Sequence, residues 1–139
     1  MKKPVLIYAE LHADSFLQAY RRCIDPAGQG LGTPALICAA LSAELGLKAI
    51  LSSNGISFGR EHNLRKLLDL VPPDDRTRIV EIASESYAAF EEELTKAAMA
   101  FIEWRYIYES EGPKEVNVFF VGALANAINQ RIAEIRNAT

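Results

Sequence analysis

The sequence predicts an all-α fold, a single domain built as an antiparallel bundle of five to six helices. Three observations carry this. Between Ala35 and Leu51 only Ser42, Glu44 and Lys48 are polar, and a helix apolar nearly all round needs packing partners on several sides. The residues Tyr87, Phe90, Leu94, Ala97, Phe101, Trp104 and Tyr108 follow one another at alternating steps of three and four, the spacing of a heptad-like helical seam. Breakers fall between the periodic stretches, at Asp25–Pro26, Pro72–Pro73 and Gly112–Pro113.

Residues 1–8 suit either a helix or a short strand. From about Leu11 to Ile24, Ala13, Phe16, Leu17, Tyr20, Cys23 and Ile24 recur at helical spacing, with Arg21 and Arg22 in the last turn. Three glycines, Gly28, Gly30 and Gly32, then precede the central helix. A glycine loop before a helix can cradle phosphate, but this one follows a helix and lacks a P-loop lysine, so it reads as a linker.

The central helix runs from Thr33 to Gly55, with Thr33 as N-cap, Pro34 at the first helical position and Gly55 just past the end. Ala39, Ala43 and Gly46 put small residues on one side, where a neighbouring backbone can come close. Glu44 and Lys48 stand four apart. After a turn at residues 55–59, Glu61 to Val71 reads as a short helix with Leu64, Leu67, Leu68 and Val71 inward. Asp74 or Asp75 caps a further segment, Arg76–Ala83, and Ser84–Glu85–Ser86 is only a weak break before the longest helix, about Ser86 to Ser110. Glu91, Glu92, Glu93 and Lys96 form its solvated side. The last helix, about Val116 to Asn137, turns Phe120, Leu124, Ile128, Ile132 and Ile135 inward and Asn129, Arg131, Glu134 and Arg136 outward.

Composition narrows the function. A net charge of −3 and a pI near 5.4 argue against a dedicated duplex-binding protein, which usually carries a basic face. Cys23 and Cys38 read as buried thiols of a reducing compartment, with no close pairing in sequence. Glu10 cuts the first apolar run too short for a signal peptide, and Glu44 with Lys48 interrupts the central helix as a membrane span. The expectation is a cytoplasmic protein with no membrane association. No Cys/His/Asp/Glu spacing suggests a metal, no serine sits in a nucleophile elbow, and no cofactor motif is present.

Three segments carry a resemblance. They are Ala43–Glu44–Leu45–Gly46–Leu47–Lys48–Ala49–Ile50–Leu51, then Glu61–His62–Asn63–Leu64–Arg65–Lys66–Leu67–Leu68, then Phe101–Ile102–Glu103–Trp104–Arg105–Tyr106. In order and spacing they resemble the HEPN superfamily of small helical bundles, in which a charged central helix is followed by a GHDL-like helix start and a later helix ending in Arg-Tyr. The likeness covers roughly residues 33 to 110, and the implied HEPN-like core runs from about 33 to 137. Family members are commonly dimers and include ribonuclease toxins, partners of small nucleotidyltransferases and domains held to bind nucleotides. Its catalytic members carry Arg followed four to six residues later by His. This chain has only His12 and His62, neither with an Arg at that distance upstream; Glu61 stands where the pattern has Gly, and Asn63 where it has Asp.

The resemblance therefore implies a non-catalytic module, a homodimer that binds a nucleotide, RNA or a protein partner, such as an antitoxin. The ligand-binding residues would be Glu44, Lys48, His62, Arg105 and Tyr106. Glu44 and Lys48 cannot both lie unpaired in an apolar interior, so Glu44, Lys48, His62 and Arg105 are expected to converge on one polar pocket. Two alternatives stand beside this: a metal-independent ribonuclease using His62 and Arg105, and a purely structural partner of a nucleotidyltransferase. A basic groove near Arg60, Arg65 and Lys66 would favour nucleic acid. The aromatic seam offers a dimer face.

Overall fold

The computed structural model describes residues 4–24, 32–99 and 116–138. Six helices occur among the described residues: α1 (Pro4–Cys23), α2 (Gly32–Ser53), α3 (Leu64–Leu70), α4 (Pro73–Ser84), α5 (Phe90–Ala97) and α6 (Val118–Asn137), with no strand. The helical alternative for the first residues is the one adopted, from Pro4 onward.

Helix α2 is the most deeply buried element, with Leu36, Leu47, Ile50 and Leu51 at most 2% exposed. Its end follows from Gly55. There φ is +69°, a left-handed conformation that glycine adopts without steric cost. The Gly55 N–H donates to Ser52 O at 3.1 Å and the Ile56 N–H to Leu51 O at 2.9 Å, the paired bonds of a Schellman motif. By length and composition α2 could cross a membrane, contrary to the sequence argument, because two charges in the span do not lower its mean hydropathy enough. In this fold 67% of its most apolar window is buried inside the bundle.

α1 packs antiparallel along α2, and α6 covers both. Glu10 near the start of α1 pairs with Arg136 near the end of α6, while Arg21 Nη2 donates to Asn126 Oδ1 at 2.8 Å. The small residues predicted to admit a neighbour do so at Gly46, where an added Cβ would lie 2.5 Å from Ile128 Cγ2. A second close approach was not foreseen. Gly122 of α6 lies flat against the Tyr20 ring, which a Cβ would meet at 2.1 Å.

Four expectations need correction. The helix expected from Ser86 begins at Phe90, because turn hydrogen bonds at Glu85, Ser86 and Tyr87 close off α4 and re-aim the chain. The described half of the aromatic seam is bundle core and not a dimer face. Phe90, Leu94 and Ala97 are buried, and Tyr87 and Phe90 meet Phe120 edge-on at 5.6 and 5.5 Å. Phe101, Trp104 and Tyr108 lie outside the described residues. Asn129 turns inward, donating to Ser42 Oγ at 3.1 Å and Ala125 O at 2.8 Å. Arg131 and Glu134 are half-buried in an ionic group joining α4 to α6.

In that group Arg131 Nε donates to Asp75 Oδ1 at 2.7 Å, and Arg78 donates to Glu134 from Nε and Nη2 at 2.9–3.2 Å. Asp75 pairs with Arg131 and Arg78 with Glu134, so α4 and α6 advance in the same direction. Hydrogen bonds from Arg78 first, then from Gln130 and Arg131, pull the Glu134 carboxyl from 4.5 to about 2 against the opposing effect of burial. A carboxyl depressed on folding stabilises the fold above its unfolded pKa, and that contribution fades as pH falls towards the folded value. Glu134→Gln should therefore cost stability at neutral pH and progressively less between pH about 4.5 and about 2. Denaturant midpoints measured across that range check it; a gap between the two proteins independent of pH would refute it.

Candidate functional site

Glu44 and Lys48 sit one turn apart on α2, so their side chains meet on one face. Glu44 is buried, 3% exposed, and its Oε2 accepts from Lys48 Nζ at 3.1 Å. The chain leaves α2 through the left-handed Gly55 and Gly59 (φ +56°) and doubles back. This places Phe58 beneath Lys48, whose Nζ stands 5.3 Å from the ring centroid, a cation–π contact. It also carries His62 to α2, where Nδ1 lies 3.0 Å from Glu44 Oε2.

His62 does not open the following helix, as the sequence suggested, but precedes it by two residues. Asn63 is the N-cap of α3, its Oδ1 accepting from Lys66 N at 3.1 Å. An asparagine caps about as well as an aspartate, so the departure at position 63 keeps the local geometry. Glu61 folds its carboxylate onto the next two backbone amides, accepting from His62 N at 3.2 Å and Asn63 N at 3.0 Å. The Asn63 amide foremost holds the Glu61 carboxyl below its ordinary value. From the other side the Leu64 N–H donates to Ala98 O at 2.7 Å, so the end of α5 borders the same place.

The structure thus brings Glu44, Lys48 and His62 together. Arg105 and Tyr106 lie outside the described residues. Of the expected basic groove, Arg60 and Lys66 are exposed, but Arg65 is drawn to α5, pairing with Glu91. A basic groove does not form around Arg65, because the acidic first turn of α5 takes up its guanidinium. Phe58 was missed in the sequence, since its contact depends on two positive-φ glycines that no periodicity records. The signal for the Asn63 cap was present: an asparagine directly before an apolar-periodic run.

The chemistry follows from the protons. A carboxylate can only accept, so the His62 Nδ1 proton points at Glu44 Oε2 and Nε2 faces away from it. The His62 side chain is 42% exposed, the Lys48 side chain 16% and the Glu44 side chain 5%. A buried anion therefore orients two groups that reach towards solvent. Glu44 Oε1 is buried and has no hydrogen-bond partner among the described residues, which leaves one strong acceptor to be satisfied. Among the described residues no group of three His, Cys, Asp or Glu could hold a metal.

The HEPN domain model matches residues 12–119, well over half of the chain. The protein belongs to the HEPN family. No curated protein and no solved structure gives a significant match. The HEPN match includes all of α2 to α5 and the Glu44–Lys48–His62 group.

Proposed function

We propose that this HEPN protein is a non-catalytic module that binds a nucleotide or RNA at the Glu44–Lys48–His62 group, working as a homodimer. The observation that carries the reading is the half-exposed His62 ring held by a buried carboxylate of α2, which fixes the polar edge of a loop residue against a rigid helix. Exposed Arg60 and Lys66 flank it in sequence, and cations beside an imidazole suit a phosphate-bearing ligand. The missing Arg-to-His spacing removes the pair that serves phosphate stabilisation and proton transfer in catalytic relatives. A partner protein such as an antitoxin or nucleotidyltransferase is the remaining occupant that family membership supports.

Fluorescence anisotropy with a labelled single-stranded RNA and with a labelled nucleoside triphosphate tests this. His62→Ala should weaken binding by about tenfold or more, the worth of one charge-assisted hydrogen bond, while leaving the helical circular dichroism unchanged. Equal binding by His62→Ala and the parent protein would sink the proposal.

One observation favours a second reading. A carboxylate fixing Nδ1 while Nε2 faces outward is the arrangement that prepares an imidazole for general acid–base work. Metal-independent cleavage of the RNA that disappears in His62→Ala would turn the assignment to a ribonuclease, with Arg105 as the group stabilising phosphate charge.

A further inference from the structure

The large hydrophobic side chains left exposed among the described residues are Tyr8, Leu11, Leu70 and Phe119. Tyr8, Leu11 and Phe119 share one face. α6 turns Ile128 onto Gly46 of α2, with α1 along one side of it and α4 along the other. Its remaining side carries Phe119, Ala123, Asn126, Gln130, Ala133 and Asn137, half-buried to exposed. These follow at steps of four and three, the spacing of a stripe that one helix offers another, and none is charged. Leu11 of α1 stands two residues from Ala13, which is buried against α2, so it points away from α2 as the stripe does. Because Glu10 pairs with Arg136 and Arg21 with Asn126, Leu11 is level with the last turns of α6, while Phe119 lies at the opposite end. On the homodimer reading above, we propose that two copies of the chain meet through this α1–α6 face, their α6 helices antiparallel about a two-fold axis at Ile128.

A two-fold interface must be complementary to itself. Phe119 and Asn137, Ala123 and Ala133, and Asn126 and Gln130 are pairs equally far from residue 128, so the rotation sets each against the other. Small meets small and amide meets amide. Each Phe119 comes down at the end of the other copy's face that holds Ala133 and Leu11. The charges agree as well: exposed Asp14 and Arg22 of α1 lie on opposite sides of the same level, so the acidic part of one α1 faces the basic end of the other. With 20 residues in α6, two helices about 30 Å long and about 10 Å apart present about 600 Å², or about 1,200 Å² over both copies, the lower edge of a specific interface. Glu44 stands two residues from Gly46 and so on the far side of α2, which keeps the Glu44–Lys48–His62 group outside the interface.

Sedimentation equilibrium of the whole protein at about 50 µM tests the face. The parent should sediment at twice 15.4 kDa. Phe119→Lys and Leu11→Glu should each fall to the single-chain mass with helical circular dichroism unchanged, since both positions are exposed. Mixed in equal amounts, the two variants should return to the double mass, because one end of the mixed pair restores phenylalanine on leucine and the other sets lysine on glutamate. Leu70→Glu, away from this face on α3, should stay a dimer. A parent dimer that neither face variant disturbs, or variants that stay apart when mixed, would overturn this face and leave the homodimer standing. A parent that sediments as a single chain would overturn both.

Discussion

Gly46→Ala should destabilise the protein by about 2 kcal/mol, although alanine is the better helix former by about 1 kcal/mol. The reason is the contact that glycine permits. A Cβ at position 46 would stand 2.5 Å from Ile128 Cγ2, with Ile132 Cδ1 at 3.5 Å behind it, and Ile128 is completely buried. Neither side can yield without moving α6 away from α2, and forcing an extra carbon into a close-packed core costs about 1–3 kcal/mol. Removing the clash from the other side should recover part of the loss. Ile128→Ala alone costs about 3 kcal/mol through its cavity, yet the double variant should be more stable than the two losses added together, by about 1 kcal/mol. Urea unfolding of the four proteins measures that coupling, and strict additivity would show that the two helices adjust without strain.

Glu44→Ala should also cost about 2 kcal/mol, for a different reason. Breaking a fully buried ion pair costs about 3–5 kcal/mol because the partner charge is stranded. Here Lys48 and His62 both reach solvent, and removal of the unpartnered Oε1 relieves a desolvated oxygen, so the loss falls below that range. Glu92→Ala, on the exposed face of α5, should change stability by no more than about 0.5 kcal/mol. Glu44→Ala would further free the His62 ring to turn, and RNA or nucleotide binding should weaken along with stability. A Glu44→Ala protein as stable as Glu92→Ala would mean that the carboxylate is not what holds Lys48 and His62 in place.

What could be read from the sequence was what short-range spacing records. Glu44 and Lys48 share a helix face by arithmetic, and Gly55 marks the end of an element whose apolarity leaves few other assignments. Its start was misplaced, since α2 begins at Gly32 and Thr33 lies inside the first turn instead of capping it. His62 was placed near them because the intervening turn is short. The start of α5 was not legible, since Tyr87 continues the three-four spacing while its ring has turned across to Phe120. In that case a contact between distant segments outweighed local periodicity. The ionic group of Asp75, Arg78, Arg131 and Glu134 was hidden for a related reason, because a charge facing solvent and a charge facing another helix have the same spacing. The axial offset of α1 against α2 was not legible either, because it is settled by packing.

That offset rests in part on one oxygen. Ser42 Oγ gives its proton to a carbonyl of α1 and accepts from Asn129 of α6, so three helices are indexed to a single buried atom. Sliding α1 by a turn along α2 would break both bonds in a dry interior, whereas swinging its far end about residue 42 would break neither. That swing is barred in turn by Arg21, whose bond to Asn126 holds the C-terminal end of α1 on α6, and by Glu10, paired with Arg136 towards the other end, so α1 is fixed along its length.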